Sequence, residues 1–272
     1  MPYKEVNGKT LFYVWKPAKD DGDLKDPRLT LVFIHGLGSS SSFYAPLIPG
    51  LAAAGFSCLA IDTYGSCQSE YTGQNQDIRS IAEDVACLLS ALDVSLKQTV
   101  IVGHSMGGIV ACDLASRHEV AGVVLIGPVL PDPATTAAFE KRIETVKLRG
   151  MEEMADTIPV TALGSKSTKT QQAFVRALIL SQSTEGYISL CDVIAKASPP
   201  DFSQMKSPLL VIAGQEDKVA PFEGSQKIIN SWGTKEVRPK LEVLEGVGHW
   251  HCIEAAEKVG IAIYTFVKDV LS

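Results

Sequence analysis

The sequence alternates short, unbroken apolar runs with segments of helical periodicity, and this alternation limits the possible folds more than any other feature. An apolar run without polar alternation is typical of a strand that is buried on both faces of a parallel sheet. The runs are Leu29–Ile34, Ser57–Ile61, Thr99–Val102, Val120–Ile126 and Pro208–Ala213, with a weaker run at Leu241–Leu244. Because helical segments separate them, the sequence predicts a mostly parallel, doubly wound α/β sheet with helices on both faces.

Helical patterns occupy the segments between these runs. In Asp77–Leu92 the apolar residues recur at intervals of three and four, as they do on one face of an amphipathic helix. The other helical segments in the core are Phe43–Ala54, Met106–Arg117 and Ile253–Leu271. Near the N-terminus, Leu11–Trp15 is predicted to be a strand that pairs with Tyr3–Val6 through a turn at Asn7 and Gly8.

Residues 132–200 interrupt the alternation, because they contain no convincing strand pattern. Four stretches in this region favour helix: Thr135–Arg149, Met151–Thr157, Thr168–Ser181 and Thr184–Ala197. A stretch of about 70 residues without a strand is much longer than an ordinary crossover, although helices packed directly on the sheet are an alternative. The sequence therefore predicts a helical cap at 132–200, inserted into an α/β core formed by residues 1–131 and 201–272.

Charge and composition exclude several classes of protein. The chain has 25 Lys and Arg against 31 Asp and Glu, a net charge of −6, which gives no overall attraction for nucleic acid or anionic membrane. The N-terminal segment carries charges and lacks an apolar core, so no signal peptide is predicted. The longest charge-free stretch, Leu29–Ile61, is broken by serines, glycines and prolines, which argues against a membrane span. We expect a soluble, cytoplasmic protein.

The sharpest motif is the sequence around Ser105. Gly103-His104-Ser105-Met106-Gly107 follows a predicted strand and precedes a predicted helix, the context of a nucleophile elbow. The tight turn needs small residues two positions before and after Ser105, and both are glycine. The motif predicts that the Ser105 Oγ is a nucleophile and that the Met106 N–H, at the helix N-terminus, stabilises an oxyanion. The alternative is a glycine-rich turn with an idle serine.

A serine nucleophile needs a base and a residue that orients the base. His249 follows a flexible Gly-x-Gly after the last apolar run and is the best candidate for the base, with His251 as its rival. Asp217 follows the run Pro208–Ala213 and is the candidate for the orienting acid. The adjacent Glu216 is a rival that the local pattern does not separate from Asp217.

A second oxyanion donor is expected in a loop that follows an earlier strand. His35-Gly36-Leu37-Gly38 directly follows the run Leu29–Ile34, and its glycines permit a tight backbone. We predict that the Leu37 N–H is this donor.

Together these motifs resemble the α/β-hydrolase fold family over almost the whole chain. HGLG resembles the oxyanion loop of the family and GHSMGG its elbow, and the order Ser105, Asp217, His249 is the order of its catalytic triad. GQEDKVAP resembles the acid loop, which selects Asp217 over Glu216, and GVGHWHCIE resembles the histidine segment, which selects His249. Within the family, the size, the helical insert and the stretch RIETVKLRGMEEMAD look most similar to 3-oxoadipate enol-lactonase-like hydrolases.

This resemblance implies a serine hydrolase that cleaves a small carboxylic ester or lactone through an acyl-enzyme, with no cofactor and no metal. His249-Trp250-His251 lacks the Asp-His continuation of metal-dependent lactonases, so a metal site is not expected. Two alternatives stay open. One is thioester or carbon–carbon bond hydrolysis with the same triad, and the other is a ligand-binding receptor on a hydrolase scaffold.

The sequence also departs from the family pattern near the expected substrate pocket. In Asp62–Ser69, Tyr64 stands where arginine is usual and Cys67 where glycine is usual, and His35-Gly36 replaces the Asn-Ser that is frequent in the lactonase branch. An enol-lactone substrate carries a carboxylate, which a cation of the chain would have to meet. The candidates for this cation are Arg142, Arg149 and Arg176.

Overall fold

The computed structural model describes residues 2–18, 29–234 and 237–271. The strands are β1 (Tyr3–Val6), β2 (Lys9–Lys16), β3 (Thr30–Ile34), β4 (Ser57–Ile61), β5 (Thr99–His104), β6 (Gly122–Ile126), β7 (Leu209–Gly214) and β8 (Lys240–Leu244). They form one sheet in the spatial order β1-β2-β4-β3-β5-β6-β7-β8. Strands β3 to β8 run parallel, whereas β2 pairs antiparallel with both β1 and β4. The predicted mostly parallel α/β fold is confirmed.

Helices connect the parallel strands. Their bounds are α1 (Ile48–Ala53), α2 (Ile78–Ala91), α3 (Met106–Arg117), α4 (Pro133–Thr161), α5 (Lys169–Leu180), α6 (Thr184–Lys196), α7 (Phe222–Ser231), α8 (His251–Glu254) and α9 (Ala256–Leu271). All residues of β3, β4, β5, β6 and β7 are buried, which agrees with their unbroken apolar sequences. β8 lies at the edge of the sheet and leaves Val243 exposed, so its pattern in the sequence is weaker.

Two predicted helices differ from the structure, and the backbone gives the reason. The segment predicted as one helix, Phe43–Ala54, is divided between a short 3-10 turn at Ser41–Tyr44 and helix α1. Helix α1 begins next to Pro49, because proline lacks an N–H and is accommodated in the first turn of a helix. The predicted C-terminal helix divides into α8 and α9 at Ala255, which has non-helical dihedral angles.

Helices α4, α5 and α6 lie between β6 and β7, and residues 132–200, all of which are described, contain no strand. We call residues 132–200 the helical insert. Gly150 interrupts α4 with a φ of 74°, at the boundary that the sequence predicts between two helices. The bounds of the insert as a separate domain stay a prediction. No helix in the described ranges is long and apolar enough to cross a membrane.

The order of the strands decides which loops meet. β3 pairs with β5, and β6 lies between β5 and β7, with β8 beyond β7. In a parallel sheet the loops that follow the strands emerge at the same edge. The loops after β3, β5, β7 and β8 therefore share one end of the sheet, and these are the loops that carry Leu37, Ser105, Asp217 and His249.

Candidate active site

Ser105 lies in a strained turn between β5 and α3. Its φ of 54° and ψ of −118° are unusual for a residue with a side chain, and such a conformation costs about 1–3 kcal/mol. A Cβ on Gly103 would lie 2.2 Å from the Gly107 carbonyl oxygen, and a Cβ on Gly107 would lie 2.1 Å from that of Ile34. The two glycines thus let the chain double back closely enough to present Ser105, as the elbow motif predicts.

The side chains of Ser105, His249 and Asp217 form one hydrogen-bonded row. The Ser105 hydroxyl lies 3.0 Å from the Nε2 atom of His249, and the Nδ1 atom of His249 lies 2.8 Å from an Asp217 carboxylate oxygen. All three residues are buried. With Nδ1–H donating to the carboxylate, Nε2 is free to accept the serine proton.

The Asp217 carboxylate is held in one orientation by the backbone of its own loop. Its second oxygen accepts hydrogen bonds from the N–H groups of Val219, at 2.8 Å, and Ala220, at 2.9 Å. Burial alone would raise the pKa of Asp217, but the charge and hydrogen bond of His249 and further contacts with His251 and Ala220 outweigh it, so the pKa is lowered. Asp217 is therefore ionised at neutral pH and can stabilise a protonated His249.

Two further histidines support the backbone of His249. His104 Nε2 and His251 Nδ1 donate to the His249 carbonyl oxygen at 2.8 and 2.9 Å. Burial lowers the pKa of His104 well below its usual range and lowers that of His251 to about 4, so both are neutral at pH 7. His251 Nε2 lies 3.9 Å from the Asp217 carboxylate, outside hydrogen-bond distance. His251, the alternative candidate for the base, therefore contacts the loop of His249 and makes no hydrogen bond to Ser105.

The loop after β3 passes directly beside Ser105. A Cβ on Gly36 would lie 2.7 Å from the Ser105 Cβ, so only glycine allows this approach. His35 holds the loop, because its Nδ1 lies 2.7 Å from the Gly36 oxygen and its Nε2 accepts from the Thr63 N–H at 3.1 Å. Leu37 follows Gly36 in this loop, and Met106 is the first residue of α3. Both predicted oxyanion donors thus belong to backbone that adjoins Ser105.

Glu216, the rival of Asp217, bonds to the helical insert instead. Its two carboxylate oxygens accept from the Ser165 N–H at 2.7 Å and the Ser165 hydroxyl at 2.6 Å. These bonds lower the pKa of Glu216, with a smaller contribution from nearby lysines. Glu216 therefore connects the acid loop to the insert and is not the acid that contacts His249.

The loop that departs from the family pattern keeps a glycine-like backbone. Cys67 has a φ of 44°, in the left-handed region that favours glycine. Its N–H donates to Gln182 Oε1 at 3.3 Å, and Gln182 Nε2 donates to the Ser39 carbonyl at 3.1 Å. Gln182, a buried residue of the insert, thus connects this loop to the loop after β3. No pattern in the sequence indicates this role.

Comparisons with known proteins identify the family of this chain. The family model described as Hydrolase_4, serine aminopeptidase S33, matches residues 25–255. The protein is an α/β-hydrolase of this family. Its curated relatives include 3-oxoadipate enol-lactonase 2 of Acinetobacter baylyi, 26% identical over 89% of both chains. They also include the monoacylglycerol lipase of Mycolicibacterium smegmatis, 25% identical over 90% of this chain and 87% of the lipase.

Among solved structures, the enol-lactonase of Burkholderia xenovorans superposes on this α/β-hydrolase with a TM-score of 0.86. The two chains are 25% identical over 98% of this chain and 100% of the other. The resemblance to α/β-hydrolases that the motifs indicate is confirmed. The names of these relatives describe different substrates, so they identify a hydrolase and leave the substrate of this chain open.

Proposed function

We propose that this α/β-hydrolase cleaves a small carboxylic ester or lactone through an acyl-enzyme on Ser105. The observation that carries the proposal is the hydrogen-bonded row in which His249 lies 3.0 Å from the Ser105 hydroxyl and 2.8 Å from Asp217. The lactonase and lipase among the relatives support an ester bond as the target, because both names describe ester cleavage. The insert would act as the cap over the substrate.

In the first half of the reaction, the Ser105 oxygen attacks the carbonyl carbon while its proton passes to His249 Nε2. Asp217 stabilises the resulting imidazolium. The N–H groups of Leu37 and Met106 bind the oxyanion of the tetrahedral intermediate, which stabilises developing charge. When the intermediate collapses, the carbon–oxygen bond breaks and the leaving alkoxide takes the proton from His249. For a lactone, this oxygen stays in the same molecule as the acyl group.

In the second half, a water molecule replaces the alcohol. It loses a proton to His249 Nε2 as its oxygen attacks the acyl carbon, and the oxyanion returns to the same two N–H groups. Collapse breaks the bond to the Ser105 oxygen, which recovers the proton from His249. The products are the carboxylic acid and the free enzyme, so this sequence of steps consumes only water.

A panel of aryl esters and lactones tests this proposal together with a fluorophosphonate, which forms a covalent bond with an activated serine. We expect turnover of at least one ester or lactone, loss of that turnover after labelling, and one label per chain on the peptide that contains Ser105. The measurements are spectrophotometric rates and peptide mass spectrometry. The activated Ser105 hydroxyl is the physical reason for the expected single label.

The other outcomes have definite meanings. A label on another residue, or turnover that survives full labelling of Ser105, would contradict the proposed mechanism. Labelling of Ser105 without turnover of any ester or lactone would favour thioester or carbon–carbon bond hydrolysis with the same triad. Neither turnover nor labelling, combined with ligand-induced thermal stabilisation, would favour the receptor alternative.

Arg142 is the one of the three candidate cations whose charge is not already paired with a carboxylate of the described ranges, so we propose that it recognises a carboxylate on the substrate. Arg149 pairs with Glu153 at 3.3 Å, and Arg176 pairs with Asp156 at 3.0 Å. Arg142 makes no ion pair with any carboxylate of the described ranges, and its guanidinium lies 4.9 Å from the centre of the buried Phe139 ring.

Tyr187 links Arg142 to the neighbourhood of the oxyanion loop. Burial raises the pKa of Tyr187 to about 12 although the nearby Arg142 charge opposes this rise. The Tyr187 ring lies 3.2 Å from the position of a Cβ on Gly38, so it touches the loop that carries Leu37. Within the described residues, the buried Tyr187 hydroxyl has no partner other than the nearby Arg142 side chain. The Arg142 guanidinium and the neighbouring Tyr187 hydroxyl thus offer donors that suit a carboxylate.

Replacing Arg142 with methionine should therefore lower kcat/KM only for substrates that carry a carboxylate. The matched pair is 4-nitrophenyl butyrate and the mono-4-nitrophenyl ester of glutaric acid, which differ mainly by a terminal carboxylate. We expect kcat/KM for the glutarate ester to fall about 10- to 100-fold, the value of a hydrogen bond to a charged group, with the butyrate rate unchanged. Arg176→Met is the control, because Arg176 already pairs with Asp156. An equal loss on both esters would contradict this role of Arg142.

A further inference from the structure

The carboxylate of Glu254 joins the loop of His249 to the helical insert. One oxygen accepts from the N–H groups of Gly164, at 2.7 Å, and Gly248, at 3.0 Å. The other accepts from the Trp250 N–H at 2.9 Å. Glu254 therefore binds the amides on both sides of His249 and one amide of the insert. Burial raises its pKa, while these three N–H donors oppose the rise.

The insert also binds His249 itself. The His249 N–H donates to the carbonyl oxygen of Ala162 at 2.7 Å, the only partner of that N–H among the backbone bonds of the described residues. Ala162 directly follows α4. Thus the amides of three consecutive residues, from Gly248 to Trp250, are held either by the insert or by the carboxylate that also holds the insert.

Glycine permits this close contact in both segments, the insert and the loop of His249. A Cβ on Gly164 would lie 2.3 Å from the Gly246 carbonyl oxygen, and a Cβ on Gly248 would lie 2.5 Å from that of Ala162. Two backbones meet here without a side chain between them. A shift of the insert at Ala162–Gly164 would therefore act directly on the loop of His249, since no flexible side chain separates them.

A second attachment reaches the acid loop. Ser165, one residue beyond Gly164, donates twice to Glu216, the neighbour of Asp217. By contrast, the ion pair between Lys166 and Glu245, at 3.1 Å, joins the insert to the loop of His249 at an exposed position and touches none of the amides around His249. The insert and the loop of His249 are thus joined by one half-buried carboxylate, Glu254, and one exposed carboxylate, Glu245.

We propose that Glu254 is a positioning residue that holds His249 in reach of Ser105 and makes this geometry depend on the seating of the insert. Release of Ala162–Gly164 from the loop would withdraw the base, so opening of the insert and disassembly of the Ser105–His249 pair would be one event. The inference rests on the proposed roles of Ser105 and His249, but it does not require a particular ester or lactone.

Glu254→Gln is the main test, with Glu245→Gln as its matched control. Glutamine keeps the shape of the side chain but replaces one acceptor oxygen with an NH2 group, which cannot accept from a backbone N–H. We expect the rate of fluorophosphonate labelling of Ser105, and kcat for any ester in the panel, to fall about 10- to 100-fold, because small misplacement of a catalytic group costs this much. KM should change less than twofold, and Glu245→Gln should match the wild type.

The labelling rate separates positioning from general stability. Both variants should be folded at the assay temperature, as measured by their melting curves. Wild-type labelling of Glu254→Gln, or an equal loss in both variants, would overturn the proposal. If the wild type labels Ser105 but cleaves no panel ester, the proposed substrate class fails while the labelling comparison still tests Glu254.

Hydrogen exchange of the wild type provides a test that does not depend on folding of the variant or on catalysis. If the insert and the loop of His249 open together, the amides of Gly164, Gly248, His249 and Trp250 should exchange within about threefold of one another after correction for intrinsic rates. The measurement is NMR-detected exchange of the isotopically labelled chain. Exchange of Gly164 at least 100-fold faster than that of Gly248 and His249 would show that the insert leaves without the loop, and would overturn the proposal.

Discussion

Ser105→Ala should lower kcat for any ester that the protein hydrolyses by about 10⁵-fold or more, since removal of the nucleophile eliminates the acyl-enzyme route. The loss should exceed that of every other substitution considered for this site. The Ser105 side chain contributes one hydrogen bond, to His249, and no cap to α3. Its backbone N–H donates to the Ile126 carbonyl at 3.0 Å, and alanine keeps that bond. The variant should therefore fold normally, and its melting temperature should be close to that of the wild type.

Ser225→Ala is the matched control for Ser105→Ala. Ser225 lies in α7, its side chain is buried, and its hydroxyl has no partner in the part of the chain that the structure describes. Replacing it removes a buried serine hydroxyl without touching His249, so initial rates should stay within about twofold of the wild type, as is usual away from an interacting group. Residual turnover in Ser105→Ala above about one part in a thousand, after exclusion of contaminating wild type, would mean that another residue is the nucleophile.

The central part of the fold could be predicted from the sequence because burial on both faces leaves a strong local pattern. Strands β3 to β7 have only buried residues, and each appears as an apolar run. The edge strand β8 gives a weak pattern because Val243 and its neighbours are partly exposed. The ends of helices were predicted less well. Pro49 at the start of α1 and the non-helical Ala255 are local backbone effects within otherwise helical composition.

Ser105 could be named because the tight turn around it needs small residues, as Gly103 and Gly107 show. Asp217 could be separated from Glu216 only by the resemblance of its loop to the family motif. The contacts of the helical insert could not be predicted in this way. Glu254 and Gly164 are 90 positions apart, and Gln182 and Ser39 are 143 positions apart. Hydrogen bonds between such distant residues leave no periodicity or spacing in the sequence. The same limit applied to Arg142, which the sequence alone does not separate from Arg149 and Arg176.

Asp217→Asn should lower kcat by about 10⁴-fold, because the amide would impose the wrong tautomer on His249. One Asp217 oxygen accepts from the N–H groups of Val219 and Ala220, and only an oxygen can keep those two bonds. The asparagine oxygen should therefore occupy that position and turn the NH2 group toward His249 Nδ1. Nδ1 must then accept, and its proton moves to Nε2, the atom that has to receive the proton of Ser105.

Glu216→Gln distinguishes this effect from simple loss of a negative charge near the site. Glu216 is the neighbouring carboxylate, but its side chain bonds to Ser165 of the insert and not to His249. Rates for the two variants, measured with one ester between pH 6 and 9, should separate by at least 10³-fold, since only Asp217→Asn changes the tautomer. A large loss in Glu216→Gln with a small one in Asp217→Asn would reassign the orienting acid. Equal losses would mean that the charge of the acid loop matters and the tautomer of His249 does not.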